Sequence, residues 1–309
     1  MVNITQFKKL NQSYKNNLVY HLGGEAGFFS EYNNMILAML FCLKYNIKFN
    51  LYSQNANFGF EKGWQDYFLP FCNESSNKLH SKLNPRQILG KNSYSFRFKQ
   101  YLLKKLTGTS YLTSDLWNKF HSKDFENETF DIPQLEIYGK TQQACKKLID
   151  ITWRFNSETQ DLITQLIQSV NVSNPYLGFH IRGGDKSIEY ALVDLDQYIQ
   201  LAHKISDIKK AFVLTDDYRI FTQLQIKYPD WKFYSLCTKE EIGYVHLNFK
   251  TIDSQEKRHQ MIRLFASIEI LNNSDHFIGT FSSNPGMYLG MRMNAANVHG
   301  VDFNNWTIW

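Results

Sequence analysis

The 309-residue chain has little that would tie it to a metal, a secretory leader or a nucleic acid. Its four cysteines, Cys42, Cys72, Cys145 and Cys237, lie far apart and form no CxxC pair. That argues against a zinc site and leaves reduced, buried thiols as the expectation. The N-terminal stretch MVNITQFKKLNQSYKNN lacks the apolar segment of a signal peptide. The longest apolar-rich run, about Met35 to Leu43, ends at Lys44 and is too short to span a bilayer. A cytoplasmic protein with no membrane span is therefore expected. Basic charge is not concentrated: 34 Lys and Arg against 29 Asp and Glu give +5. A dedicated nucleic-acid binder usually carries far more, and no nucleic-acid partner is expected. The mild excess suits an anionic small molecule such as a nucleotide-sugar. Asn-x-Ser/Thr triplets at Asn3, Asn11, Asn73, Asn127, Asn171, Asn272 and Asn305 read as chance matches in an Asn-rich chain without a leader. No internal repeat or low-complexity linker interrupts the chain.

What is present is ordinary in bulk. The length is about twice the ~150-residue prior for one domain, so two domains or one large α/β domain are expected. Hydrophobic residues make up 43% and charged residues 20%, a globular composition. Aromatic residues stand out at 16%. They fit a large core, a base-stacking surface or a sugar-binding surface, and composition does not choose among these.

Residues 17–22 read as a short strand running into Gly23-Gly24-Glu25-Ala26-Gly27. Ile36, Met39, Leu40 and Leu43 then fall at helical spacing, and Ile47 to Tyr52 alternates like a strand. Strand, Gly-rich turn, helix and strand open a nucleotide-type fold. The middle, about 60–150, reads as irregular and rich in Phe, Tyr, Lys and Asn, the place for a lid, an insertion or acceptor-side structure. Its rings Trp64, Tyr67, Tyr94 and Trp117 are candidates for stacking on an acceptor sugar. A helix is expected over Glu158 to Val170. From Tyr176 the alternation is regular, with strands at Tyr176–Ile181, Ala211–Leu214, Trp231–Leu236, His276–Gly279 and Asn297–His299. Helices lie between them, one capped by Asp196 and running to Ile205, others ending at Tyr228, covering Gln260–Leu271, and covering Pro285–Met293. This predicts a doubly wound parallel sheet, whose ligands bind beyond the carboxyl ends of the strands.

Four segments carry candidate chemistry. His180-Ile181-Arg182-Gly183-Gly184-Asp185-Lys186 sits where a buried strand ends. Arg offers a fork of donors for diphosphate oxygens, and the glycines let the backbone turn and approach a ligand. A solvated loop with Asp185 and Lys186 paired is the alternative. Thr215-Asp216-Asp217 ends another strand; its carboxylates could orient the basic cluster, bind a ribose or cap a helix. Thr280-Phe281-Ser282-Ser283 opens a helix, where hydroxyls and free N–H groups suit an anion or a simple cap. Gly23 to Gly27 resembles a phosphate loop or a plain tight turn, with Gly24, Gly27 and Phe28 as donor-side candidates. Asp194-Leu195-Asp196 has the spacing of a metal-holding DxD, but it precedes a helical pattern and capping explains it. No metal site is expected.

His-Ile-Arg-Gly-Gly-Asp-Lys at 180–186 resembles the His-x-Arg-Arg-x-Asp-Lys motif of the α-1,6-fucosyltransferases and their relatives, which include the N-glycan core enzyme and the rhizobial Nod-factor enzyme. Ser53-Gln54-Asn55 with Gly63-Trp64, Phe212 to Asp217 followed by Lys227 to Phe233, and Ser274 to Ser283 resemble further blocks of the family in the same order. The resemblance implies a GT-B-like α/β fold, a GDP-fucose donor, inversion at the anomeric carbon, no metal and no cofactor. By position, Arg182 would hold the donor β-phosphate, and His180 would lie beside guanine or ribose. Ser282 and Ser283 would bind phosphate. Asp185 and Lys186 would order the acceptor side, and Glu189 would be the general base with Asp185 as the fallback. Gly183 stands where the family has a second Arg, Met287 where the core-fucosylating enzyme has an Arg, and Ser267 where a purine-reading Asp belongs.

The expectation is an inverting, metal-independent glycosyltransferase with two Rossmann-type domains. Residues 1–155 would form the acceptor-side domain and 156–309 the nucleotide-sugar-binding one. Its partners would be a nucleotide-sugar and a glycan acceptor. The alternatives are another nucleotide-sugar donor, or a non-catalytic sugar- or nucleotide-binding protein on a transferase fold.

Overall fold

The Gly-rich turn expected between a first strand and a first long helix does separate them in the computed structural model, which describes residues 4–88, 94–183, 193–243, 249 and 252–308. The chain divides into two units, Met1–Asn156 and Ser157–Ile308.

In the first unit, helix α1 (Ile4–Ser13) precedes strand β1 (Asn16–His21), helix α2 (Phe28–Lys44) and strand β2 (Ile47–Tyr52). β1 and β2 pair in parallel from Asn16↔Ile47 to His21↔Tyr52. α1 docks on β2 through Asn11, whose side chain donates to the Phe49 carbonyl (2.8 Å) and accepts from the Phe49 amide (2.7 Å). Nearly all of α2 is buried, the mark of a helix that is core on every side. The turn needs glycine at position 23, which has φ +79° and whose added Cβ would lie 2.5 Å from Ala56 Cβ.

The stretch 60–150 is more ordered than its composition suggests. It holds α3 (His80–Leu83), α4 (Tyr94–Thr107), β3 (Tyr111–Leu112), α5 (Thr113–Phe120), α6 (Lys123–Glu126), the antiparallel hairpin of β4 (Thr129–Ile132) and β5 (Ile137–Lys140), and α7 (Thr141–Thr152). β3 adds to β1 in parallel, giving the order β2-β1-β3. Trp64, Tyr67 and Trp117 are buried, so three of the four rings offered as a sugar platform belong to the core. They pack in a continuous aromatic cluster, with Trp64 stacked on Phe68 at 4.2 Å between ring centres. Tyr94 alone is exposed, at 96%.

The second unit begins with α8 (Ser157–Val170) and continues through β6 (Leu177–Ile181), α9 (Leu195–Ile205), β7 (Lys210–Thr215), α10 (Tyr218–Lys227) and β8 (Lys232–Tyr234). It ends with α11 (Ser254–Asn272), β9 (His276–Gly279), α12 (Asn284–Arg292) and β10 (Val298–Gly300). The five strands are all parallel in the order β10-β9-β6-β7-β8. Every residue of β6 is buried, and Leu177, Phe179, Tyr198, Val213, Trp231 and Ile278 form one core cluster. The chain runs outward from β6 to β8, then returns to β9 on the other side of β6. The strand order thus reverses between β6 and β9, the point where doubly wound sheets place ligands. With a parallel sheet in each unit, the architecture is GT-B-like with two Rossmann-type units.

The cap of α9 lies earlier than the sequence suggests. Asp194, not Asp196, caps it, accepting from the Asp196 amide at 3.0 Å. Asp196 instead meets Lys227 and the Tyr228 hydroxyl. The two carboxylates of the DxD are thus spent on a cap and an ion pair.

Candidate active site

The carboxyl ends of β6, β7 and β9 bring three of the four sequence candidates together. β6 delivers His180, with Arg182 and Gly183 just beyond its end. β7 delivers Thr215 and, just past it, Asp216 and Asp217. β9 leads into Thr280 to Ser283 at the start of α12. His180 bridges the reversal point directly: its Nδ1 lies 3.3 Å from Ser283 Oγ. Behind it, the buried Tyr198 hydroxyl donates to the His180 carbonyl at 3.1 Å. Burial, reinforced by the Arg182 charge, lowers the His180 pKa to about 4, against weaker upward pulls from Asp216 and Asp302. The imidazole is therefore neutral at ordinary pH, a hydrogen-bonding group rather than a cation.

The adjacent carboxylates at 216 and 217 divide two jobs. Asp216 faces the basic strand end. Its Oδ1 accepts from the Gly183 amide at 2.7 Å, and its Oδ2 lies 4.0 Å from Arg182 Nε. Asp217 is the N-cap of α10, accepting from the Arg219 amide at 2.9 Å while the Arg219 guanidinium clasps both its oxygens. That clasp holds the Asp217 carboxyl below its usual range. Thr215 is buried, and its hydroxyl accepts from the Asp217 amide at 3.2 Å. Gly183 has a local reason: a Cβ there would meet Ile220 Cδ1 at 2.7 Å and Asp217 Cβ at 3.0 Å. A side chain at this position would have to push the end of Ile220 aside and press against Asp217.

The serines also differ from one another. Ser283 is 1% exposed and caps α12; its hydroxyl donates to the Thr280 carbonyl (2.8 Å) and accepts from the Gly286 amide (3.4 Å). Its side chain is engaged inside the fold. Ser282 has its amide held by Asp302 (2.9 Å), and its hydroxyl has no partner among the described residues. Asp302 is a residue that sequence reasoning missed. It grips the Phe281 amide with Oδ1 (2.8 Å) and the Ser282 amide with Oδ2, fixing the turn that was read as a phosphate seat. Two of that turn's N–H groups are thus already satisfied by a carboxylate.

Ser267, at the purine-reader position, is buried in α11 and donates to its own helix at the Arg263 carbonyl (2.9 Å). Glu269 is held by Arg292 in a two-bond ion pair at 2.5 and 2.9 Å. Neither presents a free carboxylate at that position.

Gly24, Gly27 and Phe28 belong to the first unit. There the Gly-rich turn wraps an internal anion: the buried Glu31 carboxylate accepts from Gly23 (3.2 Å), Glu25 (3.2 Å) and Ala26 (2.8 Å) amides. Arg86 approaches the same carboxylate at 3.7 Å. Gly27 is the extended N-cap residue of α2. The Phe28 ring is buried against Phe29, Phe58 and Trp153, so it is not available to a ligand. Gly24 lines a cavity of about 90 Å3 with His21, Glu25, Glu31, Asn55 and Arg86. Gly184, Asp185, Lys186 and Glu189 lie outside the described residues.

A neutral His180, Arg182 beside Asp216 and the serine turn opening α12 thus stand where a doubly wound sheet places its ligand. The family model described as alpha-(1,6)-fucosyltransferase N- and catalytic domains matches residues 144–286, a little under half of the chain. No curated protein matches the chain in sequence. Among solved structures, the chain is similar to the NodZ alpha-1,6-fucosyltransferase soaked with GDP-fucose. The identity is 13% and the TM-score 0.56, over 90% of this chain and 93% of that one. It is similar to fucosyltransferase NodZ from Bradyrhizobium at 13% and 0.54, over 89% and 92%. It is also similar to a variant of Arabidopsis thaliana FUT1 in complex with GDP, at 12% and 0.53, over 93% and 73%. At such identities these likenesses establish a shared fold.

Proposed function

We propose that this chain transfers fucose from GDP-fucose to a glycan hydroxyl, with inversion at the anomeric carbon and without a metal. The observation that carries the proposal is the contact of His180 with Ser283 across the β6/β9 reversal point, with Arg182 just beyond the end of β6 and near Asp216. The family match and the similar structures with GDP-fucose or GDP support the donor.

Glycosyl transfer passes through an oxocarbenium-like state, so an inverting enzyme needs a base on the face opposite the leaving group. Glu189, with Asp185 as the fallback, takes that role in our reading, and Lys186 orders the acceptor side. The departing diphosphate gains negative charge. Arg182, aimed by Asp216, stabilises that charge together with the Ser282 hydroxyl. His180 stays neutral and donates or accepts a hydrogen bond at the nucleoside. Ser283 acts one step back, holding His180 and the α12 turn. The first unit supplies the acceptor side.

A second reading keeps the reaction and changes the donor base. Ser267 spends its hydroxyl on its own helix, so the purine N–H groups find no carboxylate at that position. Thermal shift against guanine, uracil and adenine nucleoside diphosphates separates the two readings. Incubation with GDP-fucose, EDTA and an acceptor panel tests the function itself. Transfer or donor hydrolysis is expected; neither, together with no GDP binding by calorimetry, would remove the proposal. Glu189→Gln is expected to abolish turnover with GDP binding retained. Full activity in both that variant and Asp185→Asn would overturn both base assignments.

A further inference from the structure

Helix α4 (Tyr94–Thr107) turns an unusual face to solvent. Its buried residues are Gln100 and Leu103, and Gln100 donates to the Leu83 carbonyl at 2.9 Å, tying the helix to α3. The opposite face carries Tyr94, Phe98 (60% exposed), Tyr101 (51%), Leu102 (41%) and Leu106 (76%). Offsets of 4, 7, 8 and 12 residues from Tyr94 put these five side chains in one stripe along the helix. Arg97, Lys99, Lys104 and Lys105 lie in or beside that stripe, and the helix YSFRFKQYLLKKLT contains no carboxylate. The Lys105 ammonium sits over the Tyr101 ring at 5.6 Å, and Lys104 is bridged to Asp115 at 3.0 Å. A contiguous apolar patch of this kind marks an interaction surface.

We propose that α4 docks this protein on an anionic lipid surface. Aromatic and Leu side chains would enter the boundary between headgroups and acyl chains, with lysines reaching the headgroups. Charge selects this occupant. Two copies meeting through this face would set its cations against the same cations, with no acid on the helix to neutralise them. An anionic bilayer offers both an apolar layer and the missing negative charge. With 14 residues, α4 lies on the membrane and does not cross it. Among the described residues no helix is long and apolar enough to cross. The inference is independent of the donor and the acceptor.

The test is co-sedimentation of the full chain with phosphatidylcholine vesicles, with and without about one-quarter phosphatidylserine, at low and high salt. Binding is expected only to the anionic vesicles and is expected to weaken with salt. The double variant Phe98→Ser/Leu106→Ser, and separately Lys99→Glu/Lys105→Glu, should each lower the partition coefficient roughly tenfold or more. All four positions are exposed and far in sequence from the strand-end site, so circular dichroism and GDP binding should match the unaltered chain. The proposal is overturned if the unaltered chain stays in the supernatant, binds neutral vesicles equally well, or binds as tightly with either double variant. A concentration-dependent dimer abolished by Phe98→Ser/Leu106→Ser would overturn it too, in favour of self-association.

Discussion

Arg182 carries the most weight of any residue here. It follows the last residue of a fully buried strand, and Asp216 aims it. Arg182→Ala should cost roughly 3 kcal/mol or more of transition-state stabilisation, the scale of a lost oxyanion donor. Steady-state kinetics checks this, and a near-wild-type kcat/KM would refute the role. Gly183→Arg tests the crowding argument. Restoring the family's second Arg should lower activity, because Ile220 and Asp217 already fill that space. Asp302→Ala frees the Phe281 and Ser282 amides and loosens their turn. The donor KM should rise about tenfold with the acceptor KM unchanged, the size expected for one lost ordering contact of ~1.4 kcal/mol. Equal donor KM values would show that the turn needs no such clamp. At this scale the sequence is most informative where strand and chemistry coincide, as at 180–183. It is silent on Asp302, which comes 20 residues after Ser282 and sits in an unremarkable loop. It is equally silent on which serine is spent on capping, since that depends on the turn from Thr280 to Gly286.

Among the elements, the strands around the site follow from their apolar runs: β2 and β9 fall at the expected bounds, and β1, β6, β7 and β10 within a residue or two. Buried parallel strands between turn residues leave few other readings. The helices of 60–150 escaped notice because their apolar residues are mixed with Lys, Asn and Ser, and α4 wears its apolar residues on the outside. The Gly-rich turn is the clearest case of a shared local pattern with a different filling. A glycine loop before a helix suits a phosphate, and here Glu31 already supplies an anion from the first turn of α2. Glu31→Ala should destabilise the first unit by about 2–4 kcal/mol, since three turn amides lose their acceptor. Chemical denaturation measures this, and a loss under about 0.5 kcal/mol would show that the turn holds without it.

Among the described residues, the buried His180 and His80 resist protonation. Burial lowers His180 to about 4, with Arg182 adding to the effect, and lowers His80 to about 4, with His21 adding. Their unfolded values lie near 6.5. Between about pH 4 and 6.5 the unfolded chain therefore binds more protons, so stability rises with pH across that window and is complete above it. Each group should contribute on the order of 1–3 kcal/mol of loss as pH falls from 6.5 toward 4. Melting temperatures that stay level from pH 7 to pH 4.5, or a slope unchanged by His80→Gln, would contradict this. The aromatic excess resolves at the same scale. Most rings fill the cores of the two units, the larger share of them in the first, and part of the remainder forms the α4 stripe.

The most direct test of the central claim is the rate of GDP release from GDP-fucose in the presence of EDTA, measured for the unaltered chain and for Arg182→Ala. The account predicts turnover by the unaltered chain and at least a hundredfold loss in the variant, the lower range for removing a donor to developing negative charge. Absence of turnover with an acceptor panel, or equal rates for the two proteins, would contradict it.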